Sequence, residues 1–377
     1  MRFPHYALSE FQAQNNPRAR SRLGAASLEL KRVDELLALA TPAQQTQWER
    51  LTLSYAPERG AIELRTAIAE NYPGLDATHI LVFSSATEAL FCALHAAVEP
   101  QHRCTAITPC YEPLAKIPES IGAQVSSVAL QRKLIAGQSR WVLDSDEIEA
   151  AAGESDLLCI NFPHNPTGAM ISETQLQSLA ESCEAQGTRL LSDEVFRGLE
   201  HDPSTTLTPA ACLGSRNISV GSIAKPHGVG GVRIGWIACQ DSQLLDRAVA
   251  IRRTLSVCSG TTDEWLATLV LEHSQTLRDA ARTRLIANCR LIASSAEQLG
   301  ERFLWTAPQA GCAAFPLLKD DSSSLAETII EDTGIMLVPS QCFWLGDSQG
   351  FTNGVRLGYG LSDFTEVWPR FAAYLND

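Results

Sequence analysis

The sequence predicts an α/β protein in which a large, mostly parallel sheet covered by helices is joined to a smaller α+β domain. Three observations support this fold class. At 377 residues the chain is long enough for about two domains. Short runs rich in Ile, Val and Leu alternate with helical patterns between about residues 79 and 240. From about residue 262 the chain is mostly helical and then carries short, scattered strand patterns.

Six apolar runs predict the strands of the large sheet. They are apolar at nearly every position, which is typical of parallel strands that helices cover on both faces. In chain order they are HILVF (79–83), RCTAITP (103–109), LLCINFP (157–163), RLLSDEVF (189–196), NISVGSIA (217–224) and VRIGWIAC (232–239).

Helix signals are clearest in SETQLQSLAESCEAQG (172–187), where Ser172 and Gln175 form a capping box and Gly187 marks the end. Towards the C-terminus, AAFPLL, IMLVP and GVRLGYG predict strands, and SSSLAETIIEDTG predicts a helix. We expect a large domain over residues 42–270, and a small domain built from both chain ends, 1–41 and 271–377.

Composition limits the possible partners. Thirty basic and 43 acidic residues give a net charge of −13, which disfavours nucleic acid. No apolar run approaches the ~18 residues of a membrane span, and the N-terminus lacks a signal-peptide pattern, so we expect a cytoplasmic protein without a membrane partner. Most of the eleven cysteines lie in apolar runs and are expected to be buried thiols.

Two short segments are candidate phosphate sites. Lys225 directly follows the run NISVGSIA; in a dry pocket its neutral amine could form a Schiff base, although by position alone a lysine that ends a strand and reaches water is the more ordinary explanation. Ser222 before it and Arg233 after it pair a hydroxyl with a guanidinium, which suits a phosphate. The turn Ser84–Thr87 opens a helix whose free N–H groups favour an anion, but helix capping alone also explains it.

Two further polar residues follow predicted strands. Asp193 follows RLLS, where a carboxylate in an apolar sheet needs a partner; it either caps the next turn or holds a proton on a ring nitrogen. Asn165 lies in FPHNPTG, where turn chemistry explains it as well as function does.

Taken together, these segments resemble the class I/II aminotransferases of fold type I, which depend on pyridoxal 5'-phosphate (PLP). The resemblance runs from LSYAPERGAIELRTAIAENY to VRLGYG, about four fifths of the chain. Several motifs in the same order are more specific than any one of them. They are FPHNPTG (162–168), SDEVF (192–196), SIAK (222–225) and GVRIGW (231–236).

The resemblance implies a role for each candidate. Lys225 would form the Schiff base with PLP and take the Cα proton, Asp193 would pair with the pyridine nitrogen, and Arg356 would bind the substrate carboxylate beside Asn165 and Gly24. Tyr111 would stack on the ring, and Asn165 would also bond the phenolic oxygen. Tyr55 would reach the phosphate of a neighbouring subunit, which implies a homodimer with shared active sites. The remaining phosphate contacts would be Ser85, Ala86, Thr87, Ser222 and Arg233.

Three positions depart from the family pattern. Phe196 stands where many members have a tyrosine, and Ser85 and Ser340 stand where glycines are usual. The combination of FPHNPTG, Phe196 and VPSQCFW also resembles capreomycidine synthases, a cyclase branch that works on an arginine derivative, and more distantly the PLP-dependent arginine oxidases.

Three functions therefore stay open from the sequence. The first is an amino-acid aminotransferase that uses a keto acid as co-substrate. The second is a PLP-dependent cyclase, lyase or oxidase acting on an arginine-like or β/γ-substituted amino acid, for which Glu112, Asp202 or Glu29 would meet a guanidinium unless they simply form a solvated acidic face. The third is a PLP-binding regulator, for which residues 1–40 are too short to supply a helix-turn-helix.

Overall fold

A computed structural model describes residues 5–345 and 351–376. All six predicted strands of the large sheet are present in it. The strands of the described residues are β1 (Ile80–Phe83), β2 (Arg103–Thr108), β3 (Gln124–Ala129), β4 (Gln131–Ile135), β5 (Gln138–Val142), β6 (Leu157–Asn161), β7 (Arg189–Asp193), β8 (Ile218–Ser222), β9 (Gly235–Cys239), β10 (Phe303–Leu304), β11 (Ala313–Ala314), β12 (Leu317–Leu318), β13 (Val338–Pro339) and β14 (Val355–Gly358).

The large sheet has seven strands in the order β1-β9-β8-β7-β6-β2-β3. β2, β3, β6, β7 and β8 are parallel, as expected, while β9 is antiparallel to both of its neighbours. Because β9 reverses direction between β8 and β1, β1 again points the same way as β8. The carboxyl ends of β1, β2, β6, β7 and β8 therefore meet at one edge of the sheet, together with the amino end of β9.

Helices cover both faces of this sheet. The predicted helix at 172–187 is confirmed: Ser172 and Gln175 form the capping box, and Gly187 ends the helix with a φ of 75°. The helices of the described residues are α1 (Ala7–Asn15), α2 (Val33–Leu37), α3 (Pro42–Glu49), α4 (Ile62–Ala69), α5 (Ala86–Ala97), α6 (Pro113–Ile121), α7 (Ser145–Gly153), α8 (Glu173–Gln186), α9 (Ala224–His227), α10 (Ser242–Arg252), α11 (Thr261–Glu272), α12 (Ser274–Leu299), α13 (Ser322–Thr333) and α14 (Phe364–Asn376).

Alternate side chains along each strand pack into separate hydrophobic cores on the two faces of the sheet. In β6, Leu157 and Cys159 pack into a cluster with α5, α6 and α10, whereas Leu158 and Ile160 pack into a cluster with α7 and α8. Successive side chains of a strand point to opposite faces, so a strand buried on both sides must be apolar throughout. This is why the strand runs were recognisable in the sequence.

The C-terminal part packs around α12, α13 and α14 and the short sheet β11-β14-β13. The first residues of the chain join it, because Ser21 pairs with Ile335 and Leu28 pairs with Gly360. The predicted helix at 322–334 is confirmed as α13, which ends at Gly334 with a φ of 72°. The division at residues 42 and 270 stays a prediction.

The expectation for the cysteines is confirmed: all eleven are free thiols, and eight of them are buried. Among the residues that the structure describes, no helix is both long and apolar enough to cross a membrane.

Candidate active site

A cavity of about 340 Å³ lies at the carboxyl edge of the sheet. The fold predicts a ligand-binding site at this position, since ligands of open α/β sheets bind beyond the carboxyl ends of the strands. Ten of the twelve residues to which the family resemblance assigns a role line it. They are Ser85, Ala86, Thr87, Tyr111, Asn165, Asp193, Ser222, Lys225, Arg233 and Arg356.

Lys225 lies beyond the end of its strand. The predicted strand ran to Ala224, but β8 stops at Ser222 and Lys225 belongs to the short helix α9. The turn carries the amine into the cavity, where Lys225 Nζ donates a hydrogen bond to the Ala26 carbonyl at 2.6 Å. Burial lowers the pKa of Lys225, the neighbouring arginines add to that effect, and Asp193 partly opposes it. A larger share of neutral, nucleophilic amine follows than for a lysine in water.

Asp193 ends β7 and is 1% exposed. Its Oδ1 accepts the Val195 N–H at 3.1 Å, and no described cation forms a salt bridge with it. Burial raises the pKa of Asp193 to about 7; the adjacent Glu194 raises it further, while the Val195 N–H and Lys225 oppose the shift. A protonated nitrogen placed against this carboxyl group would stabilise its ionised form, which burial disfavours.

The side chain of Asn161 ties two of these strand ends together. Its Nδ2 donates to the Asp193 carbonyl at 2.7 Å, while its Oδ1 accepts the Asn165 N–H at 2.8 Å. The sequence reasoning did not single out Asn161. Its position at the end of β6, between two apolar flanks, is the only local signal for it.

Arg356 is 4% exposed on β14. Its Nε donates to the Gly24 carbonyl at 2.9 Å, one terminal nitrogen donates to Asn165 Oδ1 at 3.3 Å, and the guanidinium lies 5.1 Å from the centre of the Phe343 ring. Burial lowers the pKa of Arg356 to about 10, but the group stays cationic at neutral pH. Among the described residues, no carboxylate pairs with it, so it presents a buried, unneutralised cation to the cavity. Gly24 contributes its backbone carbonyl and is not among the cavity-lining residues.

The turn after β1 is a capped helix start. Ser85 Oγ accepts the Glu88 N–H at 3.0 Å, which leaves the hydroxyl proton free to donate to another group. Gly235, the first residue of β9, approaches this turn so closely that a Cβ there would lie 2.3 Å from the Ala86 nitrogen. Gly235, the second glycine of GVRIGW, is therefore required by this close approach. Gly230 and Gly231, by contrast, have ordinary negative φ values.

Tyr111 and Phe196 complete the walls. Burial raises the pKa of Tyr111, and a hydrogen bond with Thr87 partly offsets the effect. Phe196 is 1% exposed and offers no hydroxyl, as its sequence position implied. Ser340, the third departure, has a structural explanation: it is buried, and its Oγ hydrogen-bonds Ser322 Oγ at 3.1 Å and donates to the Thr352 carbonyl at 3.2 Å.

Tyr55 lies away from this cavity. Its side chain is 89% exposed and borders a second hollow of about 420 Å³ formed by α3, α4 and α11. Within one chain it does not line the cavity that holds the other candidates, and its role for a neighbouring subunit stays a prediction.

None of the three acidic residues considered for a guanidinium lines the cavity. Glu112 accepts the Ala7 and Leu8 N–H groups at the start of α1, Asp202 caps Ser204, and Glu29 pairs with Arg284. Conversely, the wall formed by Leu8, Ser9 and Gln12 of α1 was missed, because nothing local in the sequence ties that helix to the cavity.

The residues present fit PLP. The set offers an amine with a lowered pKa for the aldehyde, a carboxyl group with a pKa of about 7 for the ring nitrogen, and hydroxyl, backbone N–H and guanidinium groups for the phosphate. These groups come from strand ends that the fold brings together.

Comparisons with known proteins agree with this chemistry. Residues 30–363 match the family model for aminotransferases of class I and II. The probable N-succinyldiaminopimelate aminotransferase DapC of Mycobacterium tuberculosis is 32% identical over 311 residues, which cover 77% of this chain and 74% of the relative. Capreomycidine synthase of Streptomyces vinaceus is 26% identical over 318 residues, 82% of this chain and 77% of the relative.

Among solved structures, a PLP-dependent aminotransferase from Streptococcus suis superposes with a TM-score of 0.90 at 24% identity, covering 100% of this chain and 98% of that one. This likeness shows the fold, including fold type I. The family match extends over most of the chain and includes every residue found in the cavity from β1 to β14. The protein therefore belongs to the class I and II aminotransferases, enzymes that depend on pyridoxal 5'-phosphate.

Proposed function

We propose that this enzyme transfers the amino group of an α-amino acid to a keto acid. The observation that carries the proposal is the convergence of Lys225, Asp193 and Arg356 on one cavity. When bound, PLP supplies an electron-withdrawing ring that stabilises negative charge at the substrate Cα.

Lys225 would carry the cofactor and then move the substrate proton. Burial and the nearby arginines favour its neutral amine, which is the form that attacks a carbonyl and accepts a proton. The hydrogen bond from Nζ to the Ala26 carbonyl holds the amine on the cavity side of α9. We therefore assign both the covalent attachment and the Cα proton transfer to Lys225 Nζ.

Asp193, Asn165 and Tyr111 would hold the ring. A cationic nitrogen against Asp193 would restore the ionised carboxylate that burial disfavours. Asn165 Oδ1 already accepts from Arg356, so its amide N–H₂ is the part left to donate to the phenolic oxygen. Tyr111, which is partly buried and hydrogen-bonded to Thr87, would stack on the ring face.

Hydroxyl and backbone groups would hold the phosphate at the end of the cavity near α5. The free N–H groups and dipole of α5 favour an anion there, and Ser85 and Ser222 each offer a hydroxyl. Arg233 supplies the neutralising charge. The assigned set is Ser85, Ala86, Thr87, Ser222 and Arg233.

Arg356 would bind the substrate carboxylate. It is buried and cationic, and it has no anionic partner among the described residues, which is a costly arrangement unless a ligand supplies the anion. Gly24 and Asn165 fix the guanidinium plane through their hydrogen bonds. A bidentate contact would then orient the substrate Cα towards Lys225.

We also propose that the enzyme is cytoplasmic and forms a homodimer with shared active sites. Leu53 and Tyr55 are 80% and 89% exposed, and Leu255 and Val257 are 51% and 52% exposed. These two segments lie together, because the Thr261 hydroxyl donates to the Ser54 carbonyl and Arg252 donates to the Glu58 carbonyl. Such a cluster of large apolar side chains is typical of a subunit interface.

Mixing inactive variants tests the shared site. If Tyr55 serves the other subunit, Lys225→Ala and Tyr55→Ala proteins regain activity when they are unfolded, mixed and refolded together, since one site of each mixed dimer is intact. Self-contained sites would regain none.

A second candidate is a PLP-dependent cyclase, lyase or oxidase. The similarity to capreomycidine synthase and the phenylalanine at position 196 favour it. Both functions use the same cofactor contacts, so the contacts do not distinguish them.

The deciding experiment incubates the PLP-loaded enzyme with single amino acids, with and without a keto acid. Cofactor absorbance and product mass are both followed. Transamination predicts conversion of the cofactor to its amine form by the amino acid alone and turnover only when a keto acid is added. A product formed with no keto acid and no amine form of the cofactor would refute it in favour of the second candidate.

A further inference from the structure

One wall of the cavity takes no part in the proposed cofactor or carboxylate contacts. It is formed by Leu8, Ser9 and Gln12 of α1 together with Ala25 and Ser27. Every one of these side chains is uncharged. The structure gives the Gln12 side chain no hydrogen-bond partner among the described residues, so its amide is available to a ligand.

Helix α1 lies on the Arg356 side of the cavity. Leu8 belongs to the same buried cluster as Phe343, and the Phe343 ring is the one on which the Arg356 guanidinium lies. The Glu112 carboxylate fixes the start of the helix by accepting the Ala7 and Leu8 N–H groups at 2.8 and 2.9 Å. A substrate whose carboxylate meets Arg356 would therefore have α1 beside it.

Charge in the cavity restricts the substrate further. Among the described lining residues Asp193 is the sole carboxylate, and the proposed cofactor contact uses it. The two lining arginines are assigned to the phosphate and to the substrate α-carboxylate. Within the lining that this chain supplies, a cationic side chain would meet no anion and a second carboxylate would meet no free arginine, so either would lose its hydration without compensation from this subunit.

The volume of the cavity also favours a small substrate side chain. A cavity of about 340 Å³ lies at the lower end of the range for ligand sites, roughly 300–1,000 Å³, and PLP must share it. Little of this enclosed volume is left for a long substrate side chain, which would have to extend towards solvent.

We propose that α1 recognises the substrate side chain through Gln12 and Ser9, and that the enzyme acts on amino acids with a short, neutral side chain. This inference rests on the proposed function and adds the substrate class and the residues that select it. An amide and a hydroxyl can both donate and accept, which suits an uncharged polar or small apolar group.

The first test compares half-reactions of the PLP-loaded enzyme with glutamine, alanine, arginine, ornithine, aspartate and glutamate. The rate at which each amino acid changes the cofactor absorbance is measured over a range of concentrations. We expect kcat/KM to be highest for a neutral member of the panel. A preference for arginine, ornithine or either dicarboxylic acid overturns the inference and leaves the transaminase proposal standing. No response to any member of the panel also overturns the inference, whereas the transaminase proposal is refuted only if the wider screen of amino acids with and without a keto acid gives no cofactor change either.

The second test changes the charge of the wall. Gln12→Glu should raise kcat/KM for arginine relative to glutamine by roughly tenfold, the size of one charge-assisted hydrogen bond. Gln14→Glu adds the same charge to α1 at an exposed residue outside the cavity lining and should leave the ratio unchanged. An unchanged ratio in Gln12→Glu, or an equal change in both variants, overturns the assignment of Gln12.

Discussion

Replacing Asp193 by asparagine should stabilise the PLP-free protein while it weakens cofactor binding. Burial raises the pKa of this carboxyl group from 3.8 to about 7. Each pKa unit is worth about 1.4 kcal/mol, so the fold opposes ionisation of Asp193 by at most about 4 kcal/mol. Asparagine keeps an acceptor oxygen for the Val195 N–H, which Asp193 Oδ1 now accepts at 3.1 Å, and removes the charge.

The sign of the pH dependence follows from proton linkage. Because the pKa is higher in the folded than in the unfolded chain, the folded state binds more protons between pH 3.8 and about 7. The contribution of Asp193 to stability is fully present below about pH 4 and is lost as the pH rises through 7. Asp193→Asn should therefore match the parent protein near pH 4, gain less than half of the limit at pH 5, and approach a gain of about 4 kcal/mol at pH 8.

The assay is urea unfolding of PLP-free protein at pH 5 and pH 8, followed by the same measurement with PLP added. Asp320→Asn is the matched control, because Asp320 is exposed and the same charge is removed. With PLP present the order should reverse, since the parent protein gains more binding energy from the cofactor. A PLP-free Asp193→Asn protein no more stable at pH 8 than the parent, relative to the control, would refute the argument.

Three further substitutions test individual contacts. Arg356→Lys keeps the charge but loses the planar guanidinium, so kcat/KM should fall roughly 10- to 100-fold with unchanged PLP content, measured by half-reaction kinetics; an effect under twofold would exclude a bidentate contact. Phe196→Tyr places a donor in the cavity, so the pKa obtained by titrating the absorbance of bound PLP should fall by about 1–2 units; a rise would contradict the proposed placement of the ring. Gly235→Ala puts a Cβ 2.3 Å from the Ala86 nitrogen, so the free energy of unfolding measured in urea should fall by about 1–3 kcal/mol and PLP should bind more weakly. Gly231→Ala, which has open space around the added Cβ, serves as the control.

The sheet and most of the site could be predicted from local sequence. Strands buried on both faces give continuous apolar runs, and polar residues at their carboxyl ends, such as Asp193 and Ser222, had to lie at the carboxyl edge. The direction of β9 could not be predicted, because burial makes an apolar run in either orientation. β3 was missed because it is an edge strand with several exposed residues and no continuous apolar pattern.

The part of the site that could not be predicted from the sequence depends on long-range contacts. Glu112 holds α1 across more than 100 residues of chain, and Asn161 joins Asn165 to the Asp193 backbone, which lies 32 residues away. Neither contact has a periodic or motif signal. The need for glycine at position 235 was equally invisible, since it comes from the approach of β9 to the turn after β1 rather than from the residue's own backbone angles.

The most direct test of the central claim is the site at which PLP becomes attached. Borohydride reduction of the PLP-loaded protein, followed by proteolysis and peptide mass spectrometry, should place one reduced phosphopyridoxyl group on Lys225 and none in Lys225→Ala. Labelling of another lysine at equal yield, or a Lys225→Ala protein that retains the label and full activity, would contradict the account.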